Sequence, residues 1–253
     1  MCIRDSPCGR RVAFFGGSFD PPHLGHLAVA RAARAVLALD TVLFAPVGAQ
    51  PLKPHGLTAS FEDRLAMTRL AIAAEPGFAI SLADAPKPSA APNFTLDTLL
   101  ALRTELSPDG TLFCLMGADA FLGLRRWRRS AEIPFVAPLI VASRPGWQLD
   151  GLKAALPQGL TMEPAPGSDQ TGPELPGSAV EVRSFLLRNP AGDAAPFYLL
   201  PGLQVEISAS QIRDEIRERI CDQVRAASGS PITSRQLLPK AVFDYIRSRG
   251  LYR

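Results

Sequence analysis

The sequence predicts an α/β fold, a Rossmann-like, mostly parallel sheet flanked by helices, with a helical C-terminal part. Three observations carry this expectation. Short apolar runs alternate with Ala- and Leu-rich stretches along residues 11–142, the pattern of strand–helix–strand units. A run such as Thr41-Val-Leu-Phe-Ala-Pro46 is apolar almost throughout, as a strand covered on both faces requires. The first run stops at Gly16 and Gly17, before a turn and a helix. In that geometry a backbone can approach a phosphate closely and offer it free N–H groups.

The elements follow in order. Residues 11–15 read as the first strand, and 24–39, rich in good helix formers, as the first helix. A second strand is expected over 41–46, a helix over 61–72, a short strand over 78–82 and a third helix over 95–103. Residues 111–116 form the fourth strand and 121–126 a short helix. A fifth strand lies within 135–142, where Pro138 limits the part that can be central. Prolines and glycines then break the pattern, so about 157–203 is expected to be a loop-rich insertion around one or two short strands, such as 179–187. A strand over 204–207 and helices over 210–225 and 239–249 complete a single domain spanning 11–253. Residues 1–10 carry no apolar signal core and read as a disordered or artefactual leader.

Composition narrows the function. With 253 residues, 47% of them hydrophobic, the chain can bury one substantial core. A net charge of +3 excludes a nucleic-acid-coating surface, although it allows a local basic cleft. The four cysteines are widely spaced without a Cys-x-x-Cys pair, which argues against a disulfide framework or zinc knuckle and for a reducing compartment. No apolar run approaches the length of a membrane span.

The chemistry concentrates after the first strand. His23 and His26 follow the Gly turn at the start of a helix. Imidazole N–H donors there suit a phosphoryl group that gathers charge. The spacing is neither a Walker A loop nor a dinucleotide fingerprint. His55 is the one other histidine, so a zinc site is not expected. Asp20 reads as a cap of the Pro21-Pro22 turn. Lys53 follows the second strand, at the sheet edge where ligands collect. Thr95 reads as an N-cap whose helix end also faces ligand. Trp127 sits among arginines in Arg125-Arg-Trp-Arg-Arg129, which suits stacking on a flat ring within a positive field. Asp119, in Gly117-Ala-Asp, could accept ribose hydroxyls or cap residues 120–126. Arg144 suits a phosphate or a loop-positioning role. Ser208 with Gln211 can form a capping box, while Ser210 and Arg213, one turn on, can both face an anion.

The run Gly17-Ser-Phe-Asp-Pro-Pro-His-Leu-Gly-His26 resembles the signature of a nucleotidyltransferase superfamily. Together with Gln50-Pro-Leu-Lys53, Asn93-Phe-Thr-Leu-Asp-Thr-Leu99, Gly117-Ala-Asp119, Ser143-Arg-Pro-Gly146, Ile207-Ser-Ala-Ser-Gln-Ile-Arg213 and Gly250-Leu-Tyr-Arg253, it resembles the bacterial nicotinate-nucleotide adenylyltransferases. The resemblance implies that AMP passes from ATP to nicotinate mononucleotide, giving nicotinate adenine dinucleotide and pyrophosphate. It implies that His23, His26, Lys53, Ser210 and Arg213 hold the triphosphate, with His26 foremost in transfer, and that Ser208 belongs to the same motif. It places Gly17 and the Ser18 and Phe19 backbone at the nucleotide. Gly117 and Asp119 would hold ribose, and Thr95 and Trp127 the nicotinate ring; Arg144 stays open between a phosphate and a loop-positioning role. Mg²⁺ would arrive mainly on the ATP phosphates, with no metal site built by the protein. The expected setting is the cytoplasm, without nucleic-acid or membrane partners and with homo-oligomer formation open. The resembled enzymes usually carry His just before the Lys, where this chain has Leu52; whether His55 replaces it stays open. The alternatives are another acceptor, such as nicotinamide mononucleotide or phosphopantetheine, and a non-catalytic nucleotide-binding protein on the same fold.

Overall fold

The computed structural model describes residues 9–52, 56–143, 149–166, 171–175, 178–203, 208–222 and 237–253. The expected leader (up to residue 8), the strand over 204–207, Lys53, His55 and Arg144 lie outside them. Among the described residues the first strands and helices are β1 (Arg11–Gly17), α1 (Leu24–Val36), β2 (Thr41–Pro46), α2 (Phe61–Ile72), β3 (Phe78–Ile80) and α3 (Thr95–Glu105). They are followed by β4 (Thr111–Gly117), α4 (Ala118–Leu122), α5 (Ile133–Val136), β5 (Leu139–Ala142) and α6 (Leu149–Ala155). Next come β6 (Thr161–Pro164), β7 (Thr171–Leu175), β8 (Ser178–Glu181), β9 (Arg183–Arg188) and β10 (Ala194–Leu200). Two helices, α7 (Ala209–Asp222) and α8 (Lys240–Arg249), complete the list.

The main sheet has the order β3-β2-β1-β4-β5-β10-β9-β6, and β7 pairs with β8 apart from it. Every pairing from β3 to β10 is parallel; β9 is antiparallel to both β10 and β6. The sheet is thus mostly parallel, as expected. Strand order reverses between β1 and β4. One crossover leads left to β2 and β3, the other right to β5. Ligands bind beyond the carboxyl ends of strands at such a switch point.

Why β1 and β4 sit centrally follows from strand periodicity, because successive side chains point to opposite faces. Val12, Phe14, Leu112, Cys114 and Met116 enter a core closed by Leu99 of α3, Phe121 of α4, Ile133 of α5 and Leu152 of α6. Ala13, Phe15, Phe113 and Leu115 enter the other, with Leu27 of α1, Met67 of α2, Ile212 of α7 and Val242 and Ile246 of α8. Each fully buried Phe or Leu contributes about 1.5–3 kcal/mol, so two filled faces hold the switch point rigid.

Several expectations need correction. The first helix stops at Val36, not Leu39, because Ala38 takes a left-handed φ of 47° and Leu39 turns back into the core. The third strand ends at Ile80. Residues 121–126 are not one helix: α4 ends at Leu122 and a 3₁₀ turn covers Leu124–Arg126. Phe135 and Val136 belong to α5, and the fifth strand starts after Pro138. The largest correction is residues 157–203. Instead of loops around one or two strands, this region carries β6 to β10, three of which extend the main sheet. Pro196 is accommodated there because β5 pairs with β10 only from Phe197 onward, so its missing N–H removes no bond toward β5.

Candidate active site

A cleft of about 730 Å³ opens at the carboxyl ends of β1 and β4, within the range that takes a ligand of nucleotide size. Lining it are Gly17, Ser18, Phe19, His23, His26, Thr95, Gly117, Asp119, Trp127, Ser208, Ser210 and Arg213. Every expected site residue that the structure describes therefore meets in one place.

At the phosphate-suited end, β1 must turn sharply. A side chain on Gly17 would press on the Phe19 ring, whose nearest atom lies 3.2 Å from the Cβ position. Phe19 itself has φ 47° and is buried between Phe15 and Phe44. The turn delivers His23 to the N-cap of α1 with extended backbone. His23 N donates to His26 Nδ1 at 3.2 Å. That bond makes Nδ1 an acceptor, so neutral His26 carries its proton on Nε2. The imidazole centroids are 3.7 Å apart, and His26 packs edge-on against Phe19 at 5.0 Å. Burial pushes the His23 pKa down to about 4. Burial and the neighbouring His23 push His26 well below the ordinary histidine range. At neutral pH the pair is uncharged and offers N–H donors beside the free N–H groups of α1. His23 Nδ1 is buried and finds no partner among the described residues.

Arg213 reaches the same end from α7. Its NH1 donates to the Asp20 carbonyl at 2.7 Å and its NH2 to Ser210 Oγ at 3.1 Å, while Nε is buried without a partner among the described residues. Ser208 accepts from Ile212 N through its carbonyl at 3.1 Å and so opens α7. Asp20 does not cap the Pro21-Pro22 turn. Its carboxylate accepts from Thr58 N at 2.7 Å, Ala59 N at 3.2 Å and Tyr252 Oη at 2.7 Å. Ser18 Oγ donates to Gln50 Oε1 at 3.1 Å, tying the turn to the segment after β2.

The other end is built differently. Phe94, not Thr95, is the N-cap of α3; Thr95 is its first helical residue and lines the cleft. Its free N–H lies in the first turn all the same. Gly117 is the N-cap of α4, so Asp119 does not cap it and stands exposed as the second residue of its first turn. Trp127 is half-buried, packs against the core and lines the cleft. The four neighbouring arginines divide. Arg126 and Arg128 line the cleft. Arg128 lies 4.7 Å over the Phe94 ring and 3.4 Å from Asp97. Arg125 instead donates to the Leu156 carbonyl, and Arg129 pairs with Glu132.

Sequence reasoning missed Asp84, Arg64 and the role of Tyr252. Asp84 is buried on the cleft wall, takes a hydrogen bond from Thr98 and has its pKa raised by desolvation. Arg64, 1% exposed, donates to the carbonyls of Ser18 and Val47 at 2.7 Å each. No local pattern marks these residues, because each acquires its partners through tertiary contact. Asn93 belonged to a recognised segment, but its work is to clamp loops: Oδ1 accepts from Ala49 N and Nδ2 donates to the Ala85 carbonyl.

Residues 14–215 match a family model described as cytidylyltransferase-like. A curated relative from Trichlorobacter lovleyi, named "Probable nicotinate-nucleotide adenylyltransferase", is 36% identical over 242 residues, covering 96% of this chain and 99% of the relative. The chain belongs to the nicotinate-nucleotide adenylyltransferase family. A family member from Roseiflexus sp. is also 36% identical and is covered over 98% of its length. The fold is shared more widely. A Plasmodium falciparum nicotinic acid mononucleotide adenylyltransferase, solved in complex with NaAD, superposes with a TM-score of 0.63 at 16% identity, over 96% of this chain and 97% of that one. Members of the nicotinate-nucleotide adenylyltransferase family are thus similar to this chain over nearly its whole length, including the β6–β10 region.

Proposed function

We propose that the protein transfers the AMP moiety of ATP to nicotinate mononucleotide, giving nicotinate adenine dinucleotide and pyrophosphate. A phosphate oxygen of the mononucleotide attacks the α-phosphorus of ATP, and the bond to the bridging oxygen of pyrophosphate breaks. The acceptor phosphate has a second pKa of about 6 and is mostly ionised at neutral pH. No protein nucleophile is needed. Catalysis then consists of alignment and stabilisation of charge on the transferring group.

The observation that carries this reading is the His23–His26 pair, stacked and neutral at the start of α1 with His23 buried, and the Arg213 guanidinium on the same end of the cleft. Neutral imidazoles donate hydrogen bonds to phosphate oxygens without carrying a charge into a desolvated site. The α1 N–H groups and Arg213 supply the positive potential. Lys53 and Arg144, which follow β2 and β5 in the sequence, lie outside the described residues; resemblance alone assigns Lys53 to the same phosphates and leaves Arg144 open between a phosphate and a loop-positioning role. Asp119 accepts from ribose hydroxyls beside Gly117. Trp127 stacks on the pyridine ring, with Thr95 and the start of α3 donating to its carboxylate.

The donor set fits Mg²⁺ brought by ATP better than a protein-built ion site. No group of three His, Cys, Asp or Glu able to hold a metal occurs among the described residues. Asp20 is taken by two backbone N–H groups and Tyr252, and Asp84 by Thr98. When bound through the phosphates, the ion neutralises the triphosphate. No helix among the described residues is long and apolar enough to cross a membrane.

Pyrophosphate release with ATP and each acceptor in turn tests the reading. We expect kcat/KM for nicotinate mononucleotide to exceed that for nicotinamide mononucleotide by at least about 10²-fold, or about 2.7 kcal/mol, because donors placed for a carboxylate match an amide poorly. Phosphopantetheine should not be a substrate. Equal efficiencies for the two mononucleotides would leave the reaction class standing and overturn the acceptor.

A further inference from the structure

The turn that presents His23 is held from behind by residues remote in sequence. Asp20 is the joint. Its carboxylate receives Thr58 N, Ala59 N and Tyr252 Oη, and its carbonyl receives Arg213 NH1. Asp20 is 3% exposed and Tyr252 5%, so both groups depend on these partners and not on solvent. The phenol is delivered by a specific path. Gly250 closes α8 with φ 62°, and Tyr252 itself has φ 65°, a conformation that non-glycine residues rarely adopt. α8 is fastened to α2 by Tyr245 Oη donating to Asp63 Oδ1 at 2.9 Å and by Arg249 beside the same carboxylate. The α2–α8 layer therefore bears on Asp20 from two sides, through the backbone leading into α2 and through the Tyr252 hydroxyl after α8.

We propose that Tyr252 is a positioning residue for the phosphate end. It orients Asp20, whose carbonyl in turn aims the Arg213 guanidinium at the triphosphate of ATP. The inference rests on Arg213 being an ATP-phosphate group. Removing the hydroxyl leaves Oδ1 of Asp20 with Ala59 N at 3.2 Å. The carboxylate then keeps only its two backbone donors, Thr58 N on Oδ2 and Ala59 N on Oδ1, and loses the shorter of the two bonds on Oδ1, so the Asp20 carbonyl that receives Arg213 is held less firmly. A residue that merely filled the core would change stability and leave the kinetic constants for the two substrates in proportion.

The test is steady-state kinetics with ATP and nicotinate mononucleotide varied separately. Tyr252→Phe should lower kcat/KM for ATP roughly 10-fold, leave KM for the mononucleotide within about 2-fold and keep a cooperative thermal transition. Asp20→Asn keeps the shape of the side chain and weakens its acceptor, so it should give the same ATP-selective loss; it decides the matter if Tyr252→Phe fails to fold. In an Arg213→Ala background, Tyr252→Phe should add little, because both act on one path. Wild-type ATP kinetics for Tyr252→Phe, equal losses for both substrates, or full additivity with Arg213→Ala would each overturn the proposal. If Arg213→Ala alone leaves ATP kinetics intact, the assignment of Arg213 fails instead, and the role of Tyr252 falls with it.

Discussion

The two ends of the cleft are held in opposite ways. The His23–Arg213 end is multiply tied, with Asp20, Arg64 and His23 buried and His26 and Arg213 half-buried: Asp20 has four partners, Arg64 bonds to carbonyls of Ser18, Val47 and Ala59, the two imidazoles stack on each other, and His26 packs edge-on against Phe19. At the Thr95–Trp127 end the side chains are half-buried or exposed, and Arg128 is restrained by a ring and a long ion pair. Exposed pairs of that kind contribute about 0–1 kcal/mol. The difference teaches where precision is needed. Under the proposed assignment, the reacting phosphates meet a preorganised set of donors, whereas the acceptor ring meets a platform and a positive field.

The largest expected effect would come from breaking the rigid end. His26→Ala should lower kcat by about 10²–10³-fold, the scale for losing one preorganised donor to a transition state. Circular dichroism should show the fold intact, and stopped-time pyrophosphate assays would measure the loss. Full activity would remove His26 from the phosphate role.

A smaller effect sharpens the claim that these histidines are neutral. Burial holds His23 at about 4 in the folded chain, against an ordinary value of 6.5. As pH falls below 6.5 the unfolded chain takes up the proton first. The neutral histidine's contribution to stability is therefore complete above 6.5 and is lost as pH falls toward 4, by up to about 3 kcal/mol. Thermal unfolding between pH 4.5 and 7.5 should show this slope in the wild type and a shallower one in His23→Asn. Identical slopes would mean that His23 is not held neutral by the fold.

How much of this was legible in the sequence follows from how the interactions are distributed along the chain. The turn from Gly17 to His26 was readable because its parts are contiguous and glycine, histidine and helix start have local meanings. Arg213 meets Asp20 across 193 positions; the resemblance brought Arg213 to the phosphate end, but nothing in the sequence paired it with Asp20. Asp20 looked like a turn cap because turn chemistry is the local use of Asp; its real partners lie 38, 39 and 232 positions away. Thr95 looked like a cap for the same reason, although Phe94 takes that place. The expected strand over 179–187 falls on β8 and β9, whereas β6, β7 and β10 were masked by Pro164 at the end of β6, Gly172 and Pro173 at an irregularity within β7, and Pro196 near the start of β10. The parallel core was plain because strands buried on both faces leave continuous apolar runs.

The division of the cleft is tested most directly by calorimetric titration of two variants with each substrate separately, ATP being added with Mg²⁺. Arg213→Ala should weaken ATP by about 10-fold or more, the range for a charge-assisted hydrogen bond, and leave nicotinate mononucleotide nearly unchanged; Arg213→Lys should recover part of the loss. Trp127→Ala should do the reverse, weakening the mononucleotide by about 2- to 10-fold, as expected for a lost aromatic stack, with ATP unaffected. A crossed pattern is the prediction. Loss of the same substrate in both variants, or loss of the mononucleotide alone in Arg213→Ala, would contradict it.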